Sequence, residues 1–348
     1  MDDSNNEYIK MKKQIEKIFD KATSSKNVHE AVLFVENSKG DFSLDCGYGG
    51  KDINSPLFMA SISKLFVTSC ILILQEKKKL SLDDYLVDYF NKDDLKGLHN
   101  YKGNEYSYDL KISDLLFQTS GLPHWVEESD IAERILQEDF EVRFKELLEK
   151  TKTLKPHFSP NTRKKAFYGE INFDLLIKII ENITGSPLAK VYQDYIFTPL
   201  GLTKTYLPTK IDDFIPNIYY KNESLHRPKF LTSISDGITT AEDLMLFLKG
   251  FWGGSLFSQS IFEKLSIYKK LQMSMGPIFY GGGYMQIPMK SIYTFFMGKG
   301  ELIGHSGSTG SFAFYFPEKD LYFVGDFNQM ANPGLPIRLL IKLAYKIK

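Results

Sequence analysis

Segments with the character of β-strands lie near both ends of this 348-residue chain. Near the N-terminus, Ala31–Val35 and Phe42–Tyr48 are joined by the turn Asn37–Gly40, a pattern that predicts a hairpin. Four more strands are predicted near the C-terminus, at Tyr280–Ile287, Ile292–Phe296, Gly310–Phe316 and Leu321–Asp326. The roughly 150 residues after the first hairpin have the periodicity of helices and loops. The pattern therefore predicts an α/β (α+β) fold, in which both chain ends build one antiparallel sheet around a mostly helical insertion.

Helical spacing places further elements around this sheet. Tyr8–Ala22 and Pro336–Lys348 are predicted to be terminal helices that flank the sheet. In the middle of the chain, Ile131–Lys150 has the pattern of one charged amphipathic helix. Asp236–Asp243 is predicted to cap a helix that continues through Phe251. We therefore expect a discontinuous sheet domain at residues 1–62 and 228–348, a helical insertion domain at residues 63–227, and a functional site between them.

Composition narrows the classes of partner and compartment. The 43 Lys and Arg balance the 43 Asp and Glu, which argues against a nucleic-acid surface and favours a small-molecule or peptide substrate. Cys46 and Cys70 are the two cysteines, and their spacing supports neither a disulfide framework nor a zinc site, although one bridge between them stays open. We expect no cofactor and no transmembrane segment. The polar start Met1–Asn6 lacks a signal peptide, so a cytoplasmic location is expected unless an export signal was removed.

The chemical signal is a serine and a lysine three residues apart, Ser61 and Lys64, within the apolar run Phe58–Phe66. On a helix these positions share a face, so the amine can reach the hydroxyl. A lysine withdrawn from water is easier to keep neutral, and a base beside a hydroxyl makes serine a nucleophile. A second copy of the spacing, Ser266–Lys269, shows that the motif alone is a weak signal. The first copy is favoured because it opens a predicted buried helix, Leu65–Leu74, whose N-terminus stabilises negative charge.

Five short motifs together resemble the serine β-lactamase and penicillin-binding-protein superfamily, in particular its class C-like branch. They are Ala60–Lys64, Thr119–Pro123, Tyr168 ahead of Asn172–Leu176, Pro199–Leu202 and Gly304–Gly307. The branch includes D-alanyl-D-alanine carboxypeptidases, D-amino-acid amidases and esterases. Five weak motifs in a fixed order are far more specific than any one of them. The resemblance implies a β-lactamase/transpeptidase-like fold and an acyl-enzyme intermediate on Ser61, with Lys64 as the general base.

The resemblance also implies that Tyr168 is the third catalytic residue. Tyr168 enters a predicted helix that ends before Gly185, as the family tyrosine does, whereas the literal Tyr-x-Asn matches at Tyr89 and Tyr220 do not. A phenol near a lysine can relay a proton to the leaving group, because the cation stabilises its phenolate. Glu170 stands where the family usually has Asn, Asp or Ser, and a carboxylate there is expected to disfavour anionic substrates. The alternative is a core tyrosine without a catalytic role.

The last motif, His305, Ser306, Gly307 and Ser308, stands where much of the family has Lys-Thr-Gly. By resemblance, the glycine at a strand edge lets a substrate approach closely, and the Ser308 N–H joins the Ser61 N–H as an oxyanion hole. His305 is expected to hydrogen-bond the catalytic tyrosine or the substrate, or else to be a satisfied structural histidine. The remaining candidates for the pocket are Glu170, Asn172, His124 and Trp125.

The sequence thus predicts a serine acyl hydrolase acting on small esters or on D-amino-acid peptides and amides. Four alternatives stay open at this level. A β-lactamase, or a transpeptidase or cyclising acyltransferase, would share every catalytic residue, and a binding or sensor protein without activity would share the fold. A metal-dependent hydrolase is the fourth, although the six histidines are scattered along the chain.

Overall fold

The strands of the fold are distributed over the whole chain, but the long ones lie near its two ends. The computed structural model describes residues 2–160, 165–294 and 298–347. Its strands are β1 Ala31–Asn37, β2 Ser43–Tyr48, β3 Leu57–Phe58, β4 Asn100–Tyr101, β5 Asn104–Glu105, β6 Ile218–Tyr220, β7 Glu223–Leu225, β8 Ile238–Thr239, β9 Lys269–Lys270, β10 Phe279–Tyr280, β11 Met285–Pro288, β12 Glu301–Ser306, β13 Ser311–Phe316 and β14 Leu321–Asp326.

The helices fill the region between the long strands and also flank the sheet. They are α1 Asp2–Thr23, α2 Ser63–Glu76, α3 Lys92–Leu95, α4 Ile112–Leu116, α5 Ile131–Gln137, α6 Phe144–Thr153, α7 Ile171–Thr184, α8 Leu188–Tyr192, α9 Thr198–Leu200, α10 Pro228–Ser233, α11 Ala241–Gly253, α12 Phe262–Leu265 and α13 Leu335–Lys346. A π-helical turn, Gln193–Phe197, joins α8 to α9.

Eight strands form one antiparallel sheet in the order β2-β1-β14-β13-β12-β11-β10-β9. The N-terminal strand β1 pairs with the last strand β14, with Val32 opposite Asp326. The two ends of the chain therefore meet in one sheet, as the sequence predicted, and they pair near the β2 edge of that sheet. Neighbouring residues of β13, Ala313 and Phe314, are both fully buried, so both faces of the sheet are covered. Helices α11 and α13 both pack on β13, and α1 packs on α13.

Helix α2, which follows Ser61, is fixed in the interior between the sheet and the helical region. It is buried from Ser63 to Leu74, and it packs on α7 and α8. The ring of Phe66 stacks on Phe247 of α11, with 3.7 Å between ring centroids. The residues preceding α2 are also fixed, because β3 pairs with β8. The nucleophile segment is therefore held from both sides of the fold.

Three predicted elements differ from the structure. Ile131–Lys150 is two helices, α5 and α6, and not one. Ile292–Phe296 is wrong as a strand, since residues 292–294 form a 3₁₀ turn and Phe295 and Phe296 lie outside the described residues. Tyr280–Ile287 is divided by a bend at Gly281–Gly283, where Gly283 has φ +91°. A Cβ on Gly283 would lie 2.2 Å from the Thr68 hydroxyl oxygen, so the bend brings the sheet directly against α2.

The domain boundaries predicted at residues 1–62, 63–227 and 228–348 stay a prediction. Within the described part of the chain, the eight strands of the large sheet come from residues 31–48 and 269–326, in keeping with a sheet formed by the chain ends. No helix of that part is long and apolar enough to span a membrane.

A buried ion-pair network joins the first strand hairpin to the end of β14. The Lys51 amine lies 2.7 Å from Asp326 and 3.0 Å from Glu30, and the Lys51 and Asp326 side chains are each only 3% exposed. Burial lowers the pKa of Lys51, but the two carboxylates outweigh burial and hold the pKa above its usual value. The lysine is therefore charged, and it neutralises two acids that the fold removes from water.

We expect Lys51→Met to destabilise the protein by about 3–5 kcal/mol, because it leaves buried carboxylate charge without a partner. Denaturant unfolding followed by circular dichroism measures the change. The matched control is Lys150→Met, since Lys150 pairs with Asp130 on the surface at 2.6 Å. Lys150→Met should lower the free energy of unfolding by less than about 1 kcal/mol. Equal effects of the two substitutions would contradict a special role for the buried network.

Candidate active site

Ser61 lies at a strained turn that begins the buried helix. Residues Ala60–Ile62 form a 3₁₀ turn that runs directly into α2. Ala60, immediately before the serine, has φ +47°, a conformation that residues with a Cβ rarely adopt. The start of β13 holds the turn, because the Ser311 hydroxyl donates to the Met59 carbonyl at 2.8 Å. Backbone strain of this kind persists only where the surroundings impose it, and it is frequent at functional sites.

Ser61, Lys64 and Glu170 form a hydrogen-bonded cluster. The Lys64 amine donates to Ser61 Oγ at 3.2 Å. It also forms a short ion pair with Glu170 Oε2. Ser61 Oγ in turn donates to Glu170 Oε1, with 3.5 Å between the oxygens. The serine hydroxyl therefore accepts from the lysine and donates to the glutamate.

The expectation that burial keeps Lys64 neutral is wrong. Burial lowers the pKa of Lys64, but the carboxylates of Glu170 and Asp236 outweigh burial, and the pKa is held above its usual value. For Glu170, burial raises the pKa, but the Lys64 cation outweighs it and the pKa is lowered. The pair is consequently ionised near neutral pH. A charged lysine cannot accept the serine proton, whereas an ionised glutamate can.

Tyr168 lies beside this cluster, as the sequence analysis expected. The Lys64 amine is 5.2 Å from the centre of the Tyr168 ring. The expected stabilisation of the phenolate is not found: burial, followed by the Glu170 carboxylate, raises the pKa of Tyr168 well above its usual value. The Tyr168 hydroxyl is buried and makes no hydrogen bond of good geometry among the described residues, but it lies close enough to the Ser61 hydroxyl for that contact to offset part of the rise in its pKa. It is therefore a neutral donor beside the nucleophile.

The loop after α4 positions the residues around Tyr168. Gln118 has φ +56°, and its side-chain oxygen accepts from the Gly169 N–H at 3.0 Å and from Asn172 Nδ2 at 2.5 Å. The Ser120 hydroxyl donates to Asn172 Oδ1 at 2.6 Å. Asn172 is fully buried and is not part of the cavity wall, so its predicted place in the pocket is wrong. It fixes the turn that carries Tyr168 and Glu170.

His305 is a buried residue that hydrogen-bonds within the protein and does not face the cavity. The ring is fully buried, and its Nδ1–H donates to the Ser306 carbonyl at 2.9 Å. Nε2 therefore accepts from the Tyr280 hydroxyl at 3.3 Å, and not from Tyr168 as expected. Burial, and then the Lys64 cation, lower the pKa of His305 to about 3, so the ring is neutral. His305 is also absent from the cavity wall, which contradicts its expected contact with substrate.

Ser306, Gly307 and Ser308 do line the cavity opposite Ser61. Position 307 requires glycine because the backbone there lies close to the turn before Ser61. A Cβ would lie 2.8 Å from the Met59 carbonyl oxygen and 2.9 Å from Ala60 Cβ. The backbone N–H of Ser308 donates to no backbone or side-chain group within residues 2–160, 165–294 and 298–347. This free donor is in keeping with the oxyanion-hole role predicted for it.

The cluster opens into one cavity of about 1140 Å³. His124 and Trp125 lie in its wall, as predicted. The His124 Nδ1 accepts from the Glu127 N–H at 3.4 Å, which leaves Nε2–H facing Glu170 Oε1 at 3.9 Å. The Trp125 indole donates to Asp174 Oδ2 at 2.8 Å. Both rings therefore order carboxylates on the cavity wall.

Two cavity carboxylates were missed by the sequence analysis. Asp236 lines the cavity and does not cap α11, whose N-cap is Thr240. Burial raises the pKa of Asp236 to about 8 and that of Asp174 to about 7. The position of Asp174, one helical turn after Glu170 at the start of α7, could have indicated from the sequence that its carboxylate lies near that of Glu170. Nothing in the local sequence distinguished Asp236 from a helix cap.

Other candidates lie outside the site. Ser266, from the second S-x-x-K, bonds to the Tyr284 hydroxyl at 2.9 Å and is not part of the cavity wall. Cys46 and Cys70 are both free thiols, which settles the question of a bridge. In the part of the chain that the structure describes, no three His, Cys, Asp or Glu side chains are grouped to hold a metal ion.

Comparison with known proteins gives a family match over most of the chain. A sequence profile described as Beta-lactamase matches residues 51–345. A putative D-alanyl-D-alanine carboxypeptidase of Escherichia coli O157:H7 is 26% identical over 254 residues, which are 68% of this chain and 53% of the relative. Teichoic acid D-alanine hydrolase of Staphylococcus aureus is 26% identical over 196 residues, or 54% of this chain and 43% of the relative. The chain thus spans about half the length of these curated relatives.

A solved structure confirms the predicted architecture. D-amino acid amidase from Ochrobactrum anthropi SV3 superposes with a TM-score of 0.76, and the match covers 94% of this chain and 98% of the amidase. The two sequences are 17% identical, so the likeness concerns the fold. The shared fold is the β-lactamase/transpeptidase arrangement of an antiparallel sheet with a helical region.

Proposed function

Because this chain belongs to the β-lactamase family, we propose that it is a serine hydrolase that forms an acyl intermediate on Ser61 and transfers the acyl group to water. The observation that carries the proposal is the position of Ser61 Oγ, 3.2 Å from the Lys64 amine and 3.5 Å from Glu170 Oε1, at the wall of a large cavity. A hydroxyl placed between a cation and a proton acceptor is an activated nucleophile.

In the proposed acylation step, Ser61 Oγ bonds to the substrate carbonyl carbon and its proton passes to Glu170. The charged Lys64 stabilises the developing negative charge on Oγ. The backbone N–H groups of Ser61 and Ser308 donate to the carbonyl oxygen as it becomes an oxyanion. Glu170 therefore has the role of general base that the family resemblance assigns to Lys64.

The bond to the leaving group then breaks, and the leaving atom takes the proton of the Tyr168 hydroxyl. Tyr168 suits this role because its raised pKa keeps it protonated and its hydroxyl makes no hydrogen bond of good geometry among the described residues, while it lies close to Ser61. Lys64 returns a proton to Tyr168 and receives the one held by Glu170. In deacylation, the oxygen of a water molecule bonds to the acyl carbon as its proton passes to Glu170. The bond from that carbon to Ser61 Oγ then breaks, and Glu170 returns the proton to Oγ.

The charges around Ser61 favour substrates with a free amine. Glu127, Glu170, Asp174 and Asp236 all line the cavity, and among them Lys64 forms an ion pair with Glu170. The pKa values of about 7 for Asp174 and about 8 for Asp236 leave these two groups partly protonated near neutral pH, and a substrate ammonium beside them would favour their ionised form. The names of the relatives, a D-alanyl-D-alanine carboxypeptidase, a D-alanine hydrolase and a D-amino acid amidase, support D-aminoacyl substrates. We therefore propose D-aminoacyl esters or amides with an unblocked ammonium group, ahead of β-lactams, whose carboxylate meets this acidic wall.

Intact-mass spectrometry tests the proposal. The protein is incubated with p-nitrophenyl acetate, with D-alanine p-nitroanilide and with a penicillin, and the mass and the released product are followed through time. An acyl adduct that maps to Ser61, together with product release from the first two compounds, supports the hydrolase. Turnover of the penicillin without a lasting adduct would indicate a β-lactamase, and acyl transfer to an added amine would indicate a transferase. A chain that neither reacts nor releases product would be a scaffold without activity.

Blocking the substrate amine should lower activity strongly. We expect kcat/KM for N-acetyl-D-alanine p-nitroanilide to fall about 10- to 100-fold below that for D-alanine p-nitroanilide, because a charge-assisted hydrogen bond to a cavity carboxylate is lost. The L-enantiomers of both substrates are measured in parallel. They distinguish the effect of removing the ammonium charge from the effect of inverting the configuration at the α-carbon. Equal rates for free and acetylated D-substrates would contradict recognition of the ammonium group.

The pH profile distinguishes the two candidate bases. Glu170 has a lowered pKa, so it is ionised above the usual glutamate range and becomes protonated only when the pH falls through that lowered value. We expect kcat/KM for a neutral acetate ester to change little between pH 5 and pH 8. If neutral Lys64 were the base, its raised pKa would make the rate climb about tenfold per pH unit over the same interval. The same profile in Asp236→Asn removes any contribution from the carboxyl that titrates at about 8.

A further inference from the structure

The cavity is much larger than an aminoacyl group requires. Its volume of about 1140 Å³ exceeds the roughly 300–1,000 Å³ of pockets that enclose whole drug-sized ligands. The excess volume lies away from the nucleophile, because Met330, Gly334 and the helix α13 also belong to the wall. The cavity therefore has a second part, bounded by the C-terminal helix, that the reaction at Ser61 does not use.

This second part begins beside the nucleophile and extends away from it. The Gln329 N–H donates to the Thr309 carbonyl at 2.6 Å, so the chain leaving β14 runs next to the predicted oxyanion loop. Helix α13 starts shortly after, at Leu335. The part of the cavity wall that α13 forms therefore follows in sequence on the segment beside this loop.

Helix α13 presents two parallel rows of side chains to the cavity. One row is apolar, with Ile337, Ile341 and Tyr345, and the other is basic, with Arg338, Lys342 and Lys346. Members of each row are four residues apart and so lie on one line along the helix, about 12 Å from first to last. The rows together form a continuous apolar stripe with a cationic edge.

Burial along the apolar row shows where this groove opens. Ile337 is 6% exposed, Ile341 is partly buried, and Tyr345 is 49% exposed. On other elements, buried apolar side chains complete the wall, among them Ile218, Leu225 and Phe230. The groove is thus enclosed at the start of α13 and open to solvent at its end.

The cations along the groove are available to a ligand. Among the described residues, none of Arg338, Lys342 and Lys346 forms an ion pair with a carboxylate, and Arg338 donates to the neutral Asn332 Oδ1 at 2.7 Å. The acids of the cavity come instead from the His124–Glu127 loop, the start of α7 and Asp236, which surround the nucleophile. One cavity therefore has an acidic end at Ser61 and a basic edge along α13.

We infer that the α13 groove binds an extended apolar chain bearing an anionic group, so that the substrate of this enzyme is an amphiphile whose reacting acyl bond lies at Ser61. The apolar row and the buried walls match the chain, and the basic row, which ends with Lys342 and Lys346 near the open end, matches the anion. The inference rests on the proposed function for the reaction, but the binding itself does not depend on catalysis.

Calorimetric titration with butyl, heptyl and decyl phosphate, below their micellar concentrations, tests the groove. We expect Kd to fall about three- to fourfold for each added methylene, since each one is removed from water. Ile341→Asp should abolish this dependence on chain length. Lys342→Glu should weaken every alkyl phosphate at least tenfold, while the matched control Lys145→Glu, on the exposed face of α6, should not. Thermal melting checks that each variant is folded.

The outcomes distinguish ligand binding in the α13 groove from hydrolysis at Ser61. The titrations are repeated with Ser61→Ala, which should bind decyl phosphate as the unaltered protein does. Binding with no ester or amide hydrolysis would refute the proposed function and leave the groove standing. A Kd independent of chain length, or unchanged in Ile341→Asp, would overturn the inference even if hydrolysis depends on Ser61. Glycerol phosphate binding as tightly as decyl phosphate would show that the helix recognises phosphate alone, which also overturns it.

Discussion

Replacing Ser61 by alanine should lower kcat/KM for p-nitrophenyl acetate and for D-alanine p-nitroanilide by about 10⁴- to 10⁶-fold, because no acyl intermediate can form. Ser61 is the one hydroxyl that both accepts from Lys64 and donates to Glu170 among the described residues. The substitution removes a single oxygen, and the alanine side chain fits the existing space. Steady-state rates and intact mass, measured on the same samples, report turnover and adduct together.

The sequence supplies a matched control for this experiment. Ser266→Ala changes the serine of the second S-x-x-K, which bonds to Tyr284 outside the cavity, and it should leave both rates unchanged. Residual activity in Ser61→Ala within tenfold of the unaltered protein would exclude the acyl-serine mechanism. It would indicate that water attacks the substrate directly.

Replacing Glu170 by glutamine should lower kcat for the same two substrates by about 10²- to 10⁴-fold, the usual contribution of a general base. Glutamine keeps the shape of the side chain but cannot accept the serine proton. It also leaves the Lys64 cation without its principal partner, which lowers the pKa of the lysine. We therefore expect the remaining activity of Glu170→Gln to rise with pH, as lysine begins to act as the base.

The outcome for Glu170 decides between two mechanisms on one fold. Activity within a few-fold of the unaltered protein would show that Lys64 loses its proton despite the ion pair, as the resemblance implied. The control is Glu127→Gln, since Glu127 lines the same cavity with a side chain that is 60% exposed. Its loss should change hydrolysis of a neutral acetate ester little.

Much of the fold could be predicted because the residue patterns that indicate helices and strands involve positions close together in the sequence. Strand segments such as Ala31–Val35 and Leu321–Asp326 are short apolar runs, and their placement at the chain ends already implied a sheet that joins both ends. The long segment Ile131–Lys150 was misread because charged residues at helical spacing continue through the break between α5 and α6. A strand was wrongly predicted at Ile292–Phe296 because aromatic residues there have high strand propensity and no tertiary signal is visible in the sequence.

The sequence by itself determined which chemical groups are present and in what order: Ser61 with Lys64, then Tyr168 with Glu170, then the glycine-containing loop at Ser306–Ser308. Their spacing along the chain was sufficient to predict a nucleophile and its family. It could not fix the protonation states, because a pKa depends on burial and on charges that are distant in sequence. Only the tertiary structure placed Glu170 against Lys64, separated His305 from the cavity and brought α13 alongside it. Those contacts join residues more than a hundred positions apart, and they decide which group accepts the proton.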